Sequence, residues 1–320
     1  KKTGKIEELV QTTMTNSICR NHQKYKQYLS AYRLAYARAK GVRKLEIMLS
    51  FAPVIACLSL YQLGPYISGG ARDFPADLLN LCALGGVLML LVCDLKLEPL
   101  RAMHRRAANV DLEAYDTAVL EFPWHAAVTG EMPSQSALDA EARGYDNALA
   151  KAHPPELSLE DSWYPPLIET IAIEPARLYC LRQNCSFEIM YRQKYMQLFL
   201  LPMLIITSLL IAVQIFLFGG SLPNTCCTLI TASPIFRMLL LGLTVQNRNC
   251  RLLQELKANI DEALKKQDTS LETARAFQDR LFLTRDTQPL ISIAGFKHIK
   301  LKYLPVLKAE TEALLRSAGH

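Results

Sequence analysis

The sequence of 320 residues lacks the short motifs that identify most catalytic sites. It contains no glycine-rich phosphate loop of the Walker or dinucleotide type, no His-Glu-x-x-His and no Gly-x-Ser-x-Gly. Its six histidines and nine cysteines are scattered, without the spacing of a metal or redox site. We therefore predict that the chain is not an enzyme, and we expect no catalytic residue, no metal site and no bound cofactor.

Charged residues are missing from one long stretch, because no Asp, Glu, Lys or Arg lies between Lys194 and Arg237. Leu198–Phe218 is an apolar run long enough for a helix, rising about 1.5 Å per residue, to cross a hydrocarbon core about 30 Å thick. Breaker residues at 219–224 predict a turn, and a second apolar run extends from Cys226 to Val245. The pattern predicts a helical hairpin through a bilayer, since a helix satisfies its own backbone in lipid.

Two shorter apolar runs, Ile47–Ile67 and Ala76–Cys93, predict an earlier pair of spans. Basic residues precede the first and third predicted spans and follow the second and fourth. The positive-inside rule therefore places both termini and the middle of the chain in the cytoplasm. No apolar run lies near the start of the sequence, so no secretory signal peptide is expected.

The rest of the chain shows helical patterns, among them Ser136–Ala152 and Ser270–Leu283, and no alternating pattern of strand type competes with them. We therefore predict an all-α membrane protein with four transmembrane helices, two plus two, and a helical cytosolic domain. That domain is built from the N-terminal helix, the central segment and the C-terminal tail. The predicted segments are an amphipathic cytosolic helix at 1–46, two spans at 47–93, a central cytosolic segment at 94–197, two spans at 198–245 and cytosolic helices at 246–320.

Few polar side chains interrupt the predicted spans. A charged residue at the bilayer centre costs about 2.5–3.5 kcal/mol on insertion scales, so it normally faces a polar interior or reaches an interface. Arg237 therefore has two open interpretations: it reaches the cytosolic headgroups from a helix shifted or bent at Pro234, or it lines a water-filled path. The other candidates for a pore lining are Gln214, Asn80 and Gln62. Because one copy offers so few polar positions, we expect several copies per pore.

Four motifs outside the spans combine aromatic, acidic and basic residues. They are Ala-Tyr-Asp-Thr-Ala-Val-Leu-Glu-Phe-Pro-Trp-His at 114–125, Asp-Ser-Trp-Tyr-Pro-Pro at 161–166, Arg-Leu-Tyr-Cys-Leu-Arg-Gln-Asn at 177–184 and Phe-Gln-Asp-Arg at 277–280. Their order, with two spans before the middle segment and two after it, resembles the SMODS-associating four-transmembrane effector family. The chain departs from the family pattern where His125 replaces an Asn, Leu181 replaces a Gln, and Phe187-Glu188 stands for an aromatic-Asp pair.

The resemblance implies a bacterial anti-phage effector of the inner membrane that forms a pore or disrupts the membrane, and so kills or arrests the infected cell. It implies control by a cyclic di- or trinucleotide made by a partner nucleotidyltransferase, and no DNA or RNA polymer as partner. The expected partners are then the lipid bilayer, the cyclic oligonucleotide and further copies of the chain. Two alternatives stay open: a ligand-sensing membrane scaffold without a pore, and an ion channel or transporter unrelated to defence.

A cyclic oligonucleotide presents phosphates and bases, so its site needs arginine forks and flat side chains for stacking. The candidates for ligand binding are Arg105, Arg106, Trp124, Trp163, Tyr164, Arg177 and Arg182. Tyr25, Tyr28, Tyr32 and Tyr36 also share a basic helix face, which suits a juxtamembrane helix or a platform for a nucleotide.

Four polar residues recur on the helix that enters the third predicted span. Arg177, Asn184, Glu188 and Arg192 are spaced by seven, four and four residues and so form one stripe. Asn184, Glu188 and Arg192 are our candidates for coupling the cytosolic domain to the spans. The stripe either consists of pairs on the helix surface, or packs against the rest of the cytosolic domain and transmits its movement.

Overall fold

A computed structural model describes residues 16–67, 76–152, 163–218, 222–287 and 293–318. Every regular element within these residues is helical, which confirms the all-helical prediction. The helices are α1 (Ile18–Lys24), α2 (Lys26–Ile67), α3 (Ala76–Val92), α4 (Glu98–Leu120), α5 (Ala126–Thr129), α6 (Gln135–Ala152), α7 (Ile173–Tyr195), α8 (Leu201–Phe218), α9 (Leu222–Lys266), α10 (Leu271–Asp286) and α11 (Ile293–Ser317).

Short non-α turns join several of these helices. A π-helical turn at Cys93–Leu97 connects α3 to α4, and a second at Met196–Leu200 connects α7 to α8. A 3₁₀ turn at Pro166–Thr170 precedes α7. Since each π turn is flanked by helix on both sides, α3 with α4 and α7 with α8 form two long helical rods.

The chain divides into two compact units. The head unit comprises the described residues up to Ala37, His104–Gln193 and the chain from Arg248 onward. The span unit comprises Arg38–Met103 and Lys194–Asn247. All four boundaries between them fall inside helices, namely α2, α4, α7 and α9.

Two helices depart from the predicted pattern. The single helix predicted at 1–46 is interrupted at Tyr25, between the end of α1 at Lys24 and the start of α2 at Lys26, and residues 1–15 lie outside the described part of the chain. α9 is one helix of 45 residues that continues through Pro234, where we predicted a span and a separate cytosolic helix. No glycine or proline lies between Val245 and Cys250, so nothing in that stretch ends the helix.

The head unit has a hydrophobic core built from helices that are distant in sequence. Ile18 of α1, Leu178 of α7, Leu253 of α9, Leu281 of α10 and Leu315 of α11 are each fully buried in it. Burying a side chain of this size contributes about 1.5–3 kcal/mol. The N-terminal, central and C-terminal parts of the chain therefore fold together as one unit.

Three helices among the described residues are long and apolar enough to cross a membrane. They are Asn80–Leu120, Ile173–Phe216 and Thr225–Lys266, with mean hydropathies of 1.8, 2.5 and 1.7 in their most apolar windows. The first predicted span, 47–67, is helical within α2, but most of its side chains from residue 58 onward lie outside the described part. Large apolar side chains are exposed along α8, such as Leu209 at 59% and Phe216 at 89%. Such a surface suits lipid rather than water.

α3 and α9 approach closely within the span unit at Gly86. A Cβ added at Gly86 would lie 3.0 Å from the Thr231 Cα and 3.1 Å from the Ile230 carbonyl oxygen. The neighbouring Gly85 has open space at the same position. Gly86 therefore acts as the small residue that lets two membrane helices touch through their backbones.

We expect Gly86→Val to lower the melting temperature of the span unit in detergent micelles. Backbone atoms cannot move aside as a flexible side chain does, and overpacking of this kind costs about 1–3 kcal/mol. Gly85→Val is the matched control, because it makes the same change on the same helix where there is room. Equal melting temperatures for the two variants would contradict the close packing.

Candidate functional site

Two acidic side chains of α4 are buried on one face of the helix. Glu113 and Asp116 are three residues apart, and their exposed fractions are 0% and 3%. A buried carboxylate needs hydrogen-bonding or ionic partners, because desolvation otherwise disfavours its charge. α10 supplies them from Arg275, Gln278 and Arg285, whose spacings of three and seven residues place them on one face.

Arg285 connects α10 to both α4 and α7. Its Nη1 donates to Asp116 Oδ2 at 2.6 Å, and its Nε donates to Glu188 Oε1 at 2.5 Å. The other Glu188 oxygen accepts from Arg192 Nη2 at 2.9 Å. Burial disfavours the charge of Arg285, but Glu188 and Asp116 outweigh it and hold the pKa of this guanidinium well above its usual range. Arg285 is therefore a charged link between three helices.

Arg275 makes a second set of contacts next to the first. Its Nη2 donates to Glu113 Oε1 at 2.6 Å and to Asp279 Oδ1 at 2.5 Å. Gln278 Nε2 donates to Glu113 Oε2 at 2.6 Å and to Asp116 Oδ2 at 3.3 Å, which joins the two sets. Asp279 Oδ2 in turn lies 2.6 Å from His125 Nδ1. We call these side chains the ion-pair network: Glu113, Asp116, His125, Glu188, Arg192, Arg275, Gln278, Asp279 and Arg285.

The network holds one carboxyl whose charge is disfavoured. Burial and the neighbouring Asp116 raise the pKa of Glu113, and Arg275 and Gln278 offset this only in part. The folded chain therefore binds this proton more tightly than the unfolded chain does. Ionised Glu113 makes the head unit less stable as the pH rises above the ordinary pKa of a glutamate.

An open cleft lies at the edge of the network, beside the start of α10. α10 begins at a Ser270 cap, whose Oγ accepts from the Thr273 backbone N–H at 3.2 Å. The cleft has a volume of about 440 Å³ and is lined by Pro123, His125, Leu271, Glu272, Arg275, Ala276 and Asp279. Network residues thus form one wall of a cleft that solvent reaches.

Two predicted ligand-binding arginines are engaged by groups of the protein. Arg177 donates from Nε to the Leu120 carbonyl and from Nη2 to the Glu121 carbonyl, each at 2.8 Å. These carbonyls end α4, where Glu121 adopts a positive φ of 55°, so Arg177 caps that helix. Arg182 pairs with Asp261 of α9 at 2.5 Å and with Glu310 of α11 at 3.0 Å.

Trp163, Tyr164 and Asn184 form a separate cluster. The Trp163 indole N–H donates to Asn184 Oδ1 at 2.9 Å, and Asn184 Nδ2 donates to the Tyr164 hydroxyl at 3.1 Å. The centroids of the Trp163 and Phe187 rings also lie 5.1 Å apart, in a T-shaped arrangement. The motif at 161–166 is thereby fixed to α7, although Asp161 and Ser162 lie outside the described residues.

Arg106 and Trp124 meet the same loop. Arg106 donates to the carbonyls of Val128 and Thr129, each at 3.2 Å, and pairs with Asp286 at 2.8 Å. The Trp124 indole N–H donates to the Gly130 carbonyl at 2.8 Å. Arg105, the preceding residue, is half-buried, and burial lowers the pKa of its guanidinium despite Asp286. The seven predicted ligand contacts therefore do not gather into one arginine-lined pocket within the described residues. Their role in binding stays a prediction.

The predicted coupling stripe is buried rather than solvated. Arg177, Asn184 and Arg192 have exposed fractions of 7%, 4% and 4%. Glu188 bonds both to Arg192 on its own helix and to Arg285 on α10. The geometry fits a stripe that packs against the rest of the head unit. Sequence reasoning did not find Glu113, Arg275 or Arg285, although the seven-residue spacing from Gln278 to Arg285 was a usable signal.

The predicted pore residues occupy different environments in the span unit. Gln214 is 4% exposed and donates to the Cys57 sulfur at 3.6 Å. Asn80 is exposed and accepts from the Cys227 thiol at 3.4 Å. The side chain of Gln62 lies outside the described residues.

Arg237 pairs with a carboxylate that the sequence analysis did not assign to it. Its Nη1 lies 2.7 Å from Asp94 Oδ1, and the two side chains are 45% and 30% exposed. Arg237 is 15 residues beyond Leu222, the first residue of α9, or about 22 Å along a helix. If α9 enters the hydrocarbon core at Leu222, Arg237 lies toward the far end of a core about 30 Å thick.

Comparison with known proteins identifies the chain. The family of SMODS-associating 4TM effector domains matches residues 16–305 of the 320. The chain belongs to the SMODS-associating 4TM effector family. No protein of curated function and no solved structure matches it. The resemblance inferred from the motifs is therefore confirmed, and with it a membrane protein of effector type.

The fold brings together residues from the first and fourth motifs of this SMODS-associating 4TM effector, and adds Glu188. Asp116 comes from the first motif, Glu188 follows the third, and Gln278 and Asp279 belong to the fourth. All four side chains lie in the ion-pair network. Motifs that are far apart in the sequence thus meet at one place in the head unit.

Proposed function

We propose that this SMODS-associating 4TM effector crosses the bacterial inner membrane with four spans and permeabilises it under the control of a cyclic oligonucleotide. The nucleotide comes from a partner nucleotidyltransferase, and the result is death or arrest of the infected cell. The observation that carries the proposal is the position of α7. The ion-pair network holds this helix through the contact of Glu188 with Arg285, and the same helix continues through a π turn into α8, the most apolar helix described.

The proposed mechanism follows from this connection. A ligand that changes the contacts of α4 or α10 changes the partners of Arg285, and therefore the position that Glu188 imposes on α7. A helix transmits a rotation or a shift along its length, because its backbone hydrogen bonds keep neighbouring turns in register. The membrane part of the rod then moves against its neighbours and opens or closes a path formed by several copies.

Leakage from liposomes tests the proposal directly. Purified protein is reconstituted into vesicles of bacterial lipid that enclose a fluorescent dye. The members of a panel of cyclic di- and trinucleotides are then added in turn. We expect one member of the panel to change the rate of dye release, in either direction. Ligand binding without any change in leakage would favour a ligand-sensing scaffold without a pore. Constant leakage with no response to any nucleotide would favour a channel unrelated to defence.

The predicted topology can be tested with a native thiol. Cys226, at the start of α9, is exposed, and the basic residues of the chain predict that this end of the helix faces the periplasm. We expect a membrane-impermeant maleimide to label Cys226 in intact spheroplasts, and Cys226→Ser to remove most of that label. In the Cys226→Ser background, a cysteine placed at exposed Ala137 of the head unit should react only after lysis. The opposite pattern would reverse the topology.

A further inference from the structure

The cleft beside α10 has a charge pattern that selects one part of a nucleotide. Two carboxylates line it, those of Glu272 and Asp279, together with the guanidinium of Arg275. That guanidinium already pairs with Asp279 and Glu113. A phosphate entering the cleft would meet two negative charges and an arginine that is already neutralised, so the pattern disfavours phosphate.

The same cleft is suited to a heterocycle that carries amino groups. Pro123, Leu271 and Ala276 provide apolar lining, and the exposed Glu272 carboxylate accepts hydrogen bonds. Carboxylates accept hydrogen bonds from the amino groups of bases, as they do from the exocyclic amine of cytosine. His125 adds a ring that is 46% exposed and is held at Nδ1 by Asp279.

We propose that this cleft receives one amino-bearing nucleobase of the regulatory ligand, which Glu272 recognises by accepting hydrogen bonds from its amino group. The inference rests on the proposed function, because it takes the ligand to be a cyclic oligonucleotide. A volume of about 440 Å³ lies near the small end of the range for ligand pockets, about 300–1,000 Å³. The cleft is therefore large enough for one base with its sugar, and the charge pattern described above favours phosphates outside it.

A base in this position contacts the ion-pair network at its edge. His125 and Asp279 face the cleft, and Asp279 orients Arg275 through both Nε and Nη2, at 2.9 and 2.5 Å. Arg275 in turn binds Glu113, which shares Gln278 with Asp116. The bound base thus touches one end of a series of contacts that leads through Asp116 and Arg285 to Glu188 of α7.

Binding of labelled cyclic nucleotides to the full-length protein in nanodiscs tests this site. The probes are cyclic di-AMP, cyclic di-GMP, cyclic tri-AMP and cyclic di-UMP, the last of which lacks an amino group on its bases. Ala276→Trp fills the cleft without removing a network residue, and we expect it to weaken binding at least about tenfold. Ala140→Trp is the matched control, since it changes another exposed helical alanine of the head unit. It should bind as the unmodified chain does.

The outcomes separate this inference from the proposed function. Glu272→Leu should weaken the binding of the adenine or guanine probe about tenfold, and cyclic di-UMP should not bind even the unmodified chain. If the unmodified chain binds a probe and Ala276→Trp binds it equally well, the ligand lies elsewhere and only the cleft assignment fails. If the unmodified chain binds no probe, the proposed function fails together with the site. Melting temperatures of all variants check that each one is folded.

Discussion

Replacing Arg285 with Met is expected to lower the free energy of unfolding of the head unit by about 3–5 kcal/mol. Removing one partner of a buried ion pair leaves an uncompensated charge, and Arg285 has two such partners, Asp116 and Glu188. Urea unfolding in detergent micelles can be followed by tryptophan fluorescence, because both tryptophans of the chain, Trp124 and Trp163, belong to the head unit.

The matched control for this change is Arg280→Met, at an exposed position on the same helix. It should alter the free energy of unfolding by no more than about 0.5 kcal/mol. Adding Asp116→Asn to Arg285→Met should recover part of the lost stability, since it removes the buried Asp116 charge that Arg285 no longer compensates, whereas Glu188 keeps its ion pair with Arg192. Equal effects of Arg280→Met and Arg285→Met would show that the network does not stabilise the head unit.

Arg237 and Asp94 form an ion pair in the span unit. We expect each single variant that removes one of the two charges to destabilise the span unit more than the double variant that removes both. Asp94→Leu leaves a cation without its carboxylate partner and Arg237→Leu leaves a carboxylate without its cation; insertion scales assign about 2.5–3.5 kcal/mol to a charge at the bilayer centre, which sets an upper limit for either effect. The double variant Asp94→Leu/Arg237→Leu removes both charges. Melting temperatures of the four proteins in one detergent form a complete double-mutant cycle, and purely additive effects would contradict the ion pair.

Current recordings from the protein in planar bilayers, with different salt concentrations on the two sides, test whether the same pair of residues lines the pore. If the pair faces the conducting path, Arg237→Gln leaves a net negative charge and shifts the reversal potential toward cation selectivity, while Asp94→Asn shifts it toward anion selectivity. We expect these opposite shifts, with the double variant near the unmodified protein. Unchanged selectivity in every variant would place the pair at the headgroups, and Gln214→Leu would then be the next variant to record.

Helix positions in the head unit were largely predictable from the sequence. The predicted helix at 136–152 appears as Gln135–Ala152, and the one at 270–283 as Leu271–Asp286. Periodicity and prolines set these boundaries locally. The break at Tyr25, the continuity of α9 and the two π turns were not predicted, because each depends on how a helix packs against others rather than on its own composition.

The candidate site shows the same limit. The motifs contain Asp116, Gln278 and Asp279, and the helical stripe contains Glu188, so individual members were visible in the sequence. Helical spacing states which residues share a face, but it does not state which helix that face will meet. Arg285 was missed for this reason, since its importance depends on two partners located 169 and 97 residues away. Arg177 and Arg182 were chosen for their charge, and that charge is satisfied by neighbouring helices.

The π turn at Met196–Leu200 has a mechanical consequence for the membrane. A π turn accommodates one residue more than the α-helical ladder around it. If that residue is absorbed into regular helix, everything beyond it advances by one position, which means a rotation of about 100° and a translation of about 1.5 Å. For α8 this would replace the set of side chains now turned toward Leu239 and its neighbours with a set now turned outward. A translation of only about 1.5 Å along the axis, combined with this rotation, would then change the chemistry of the surface that α8 presents.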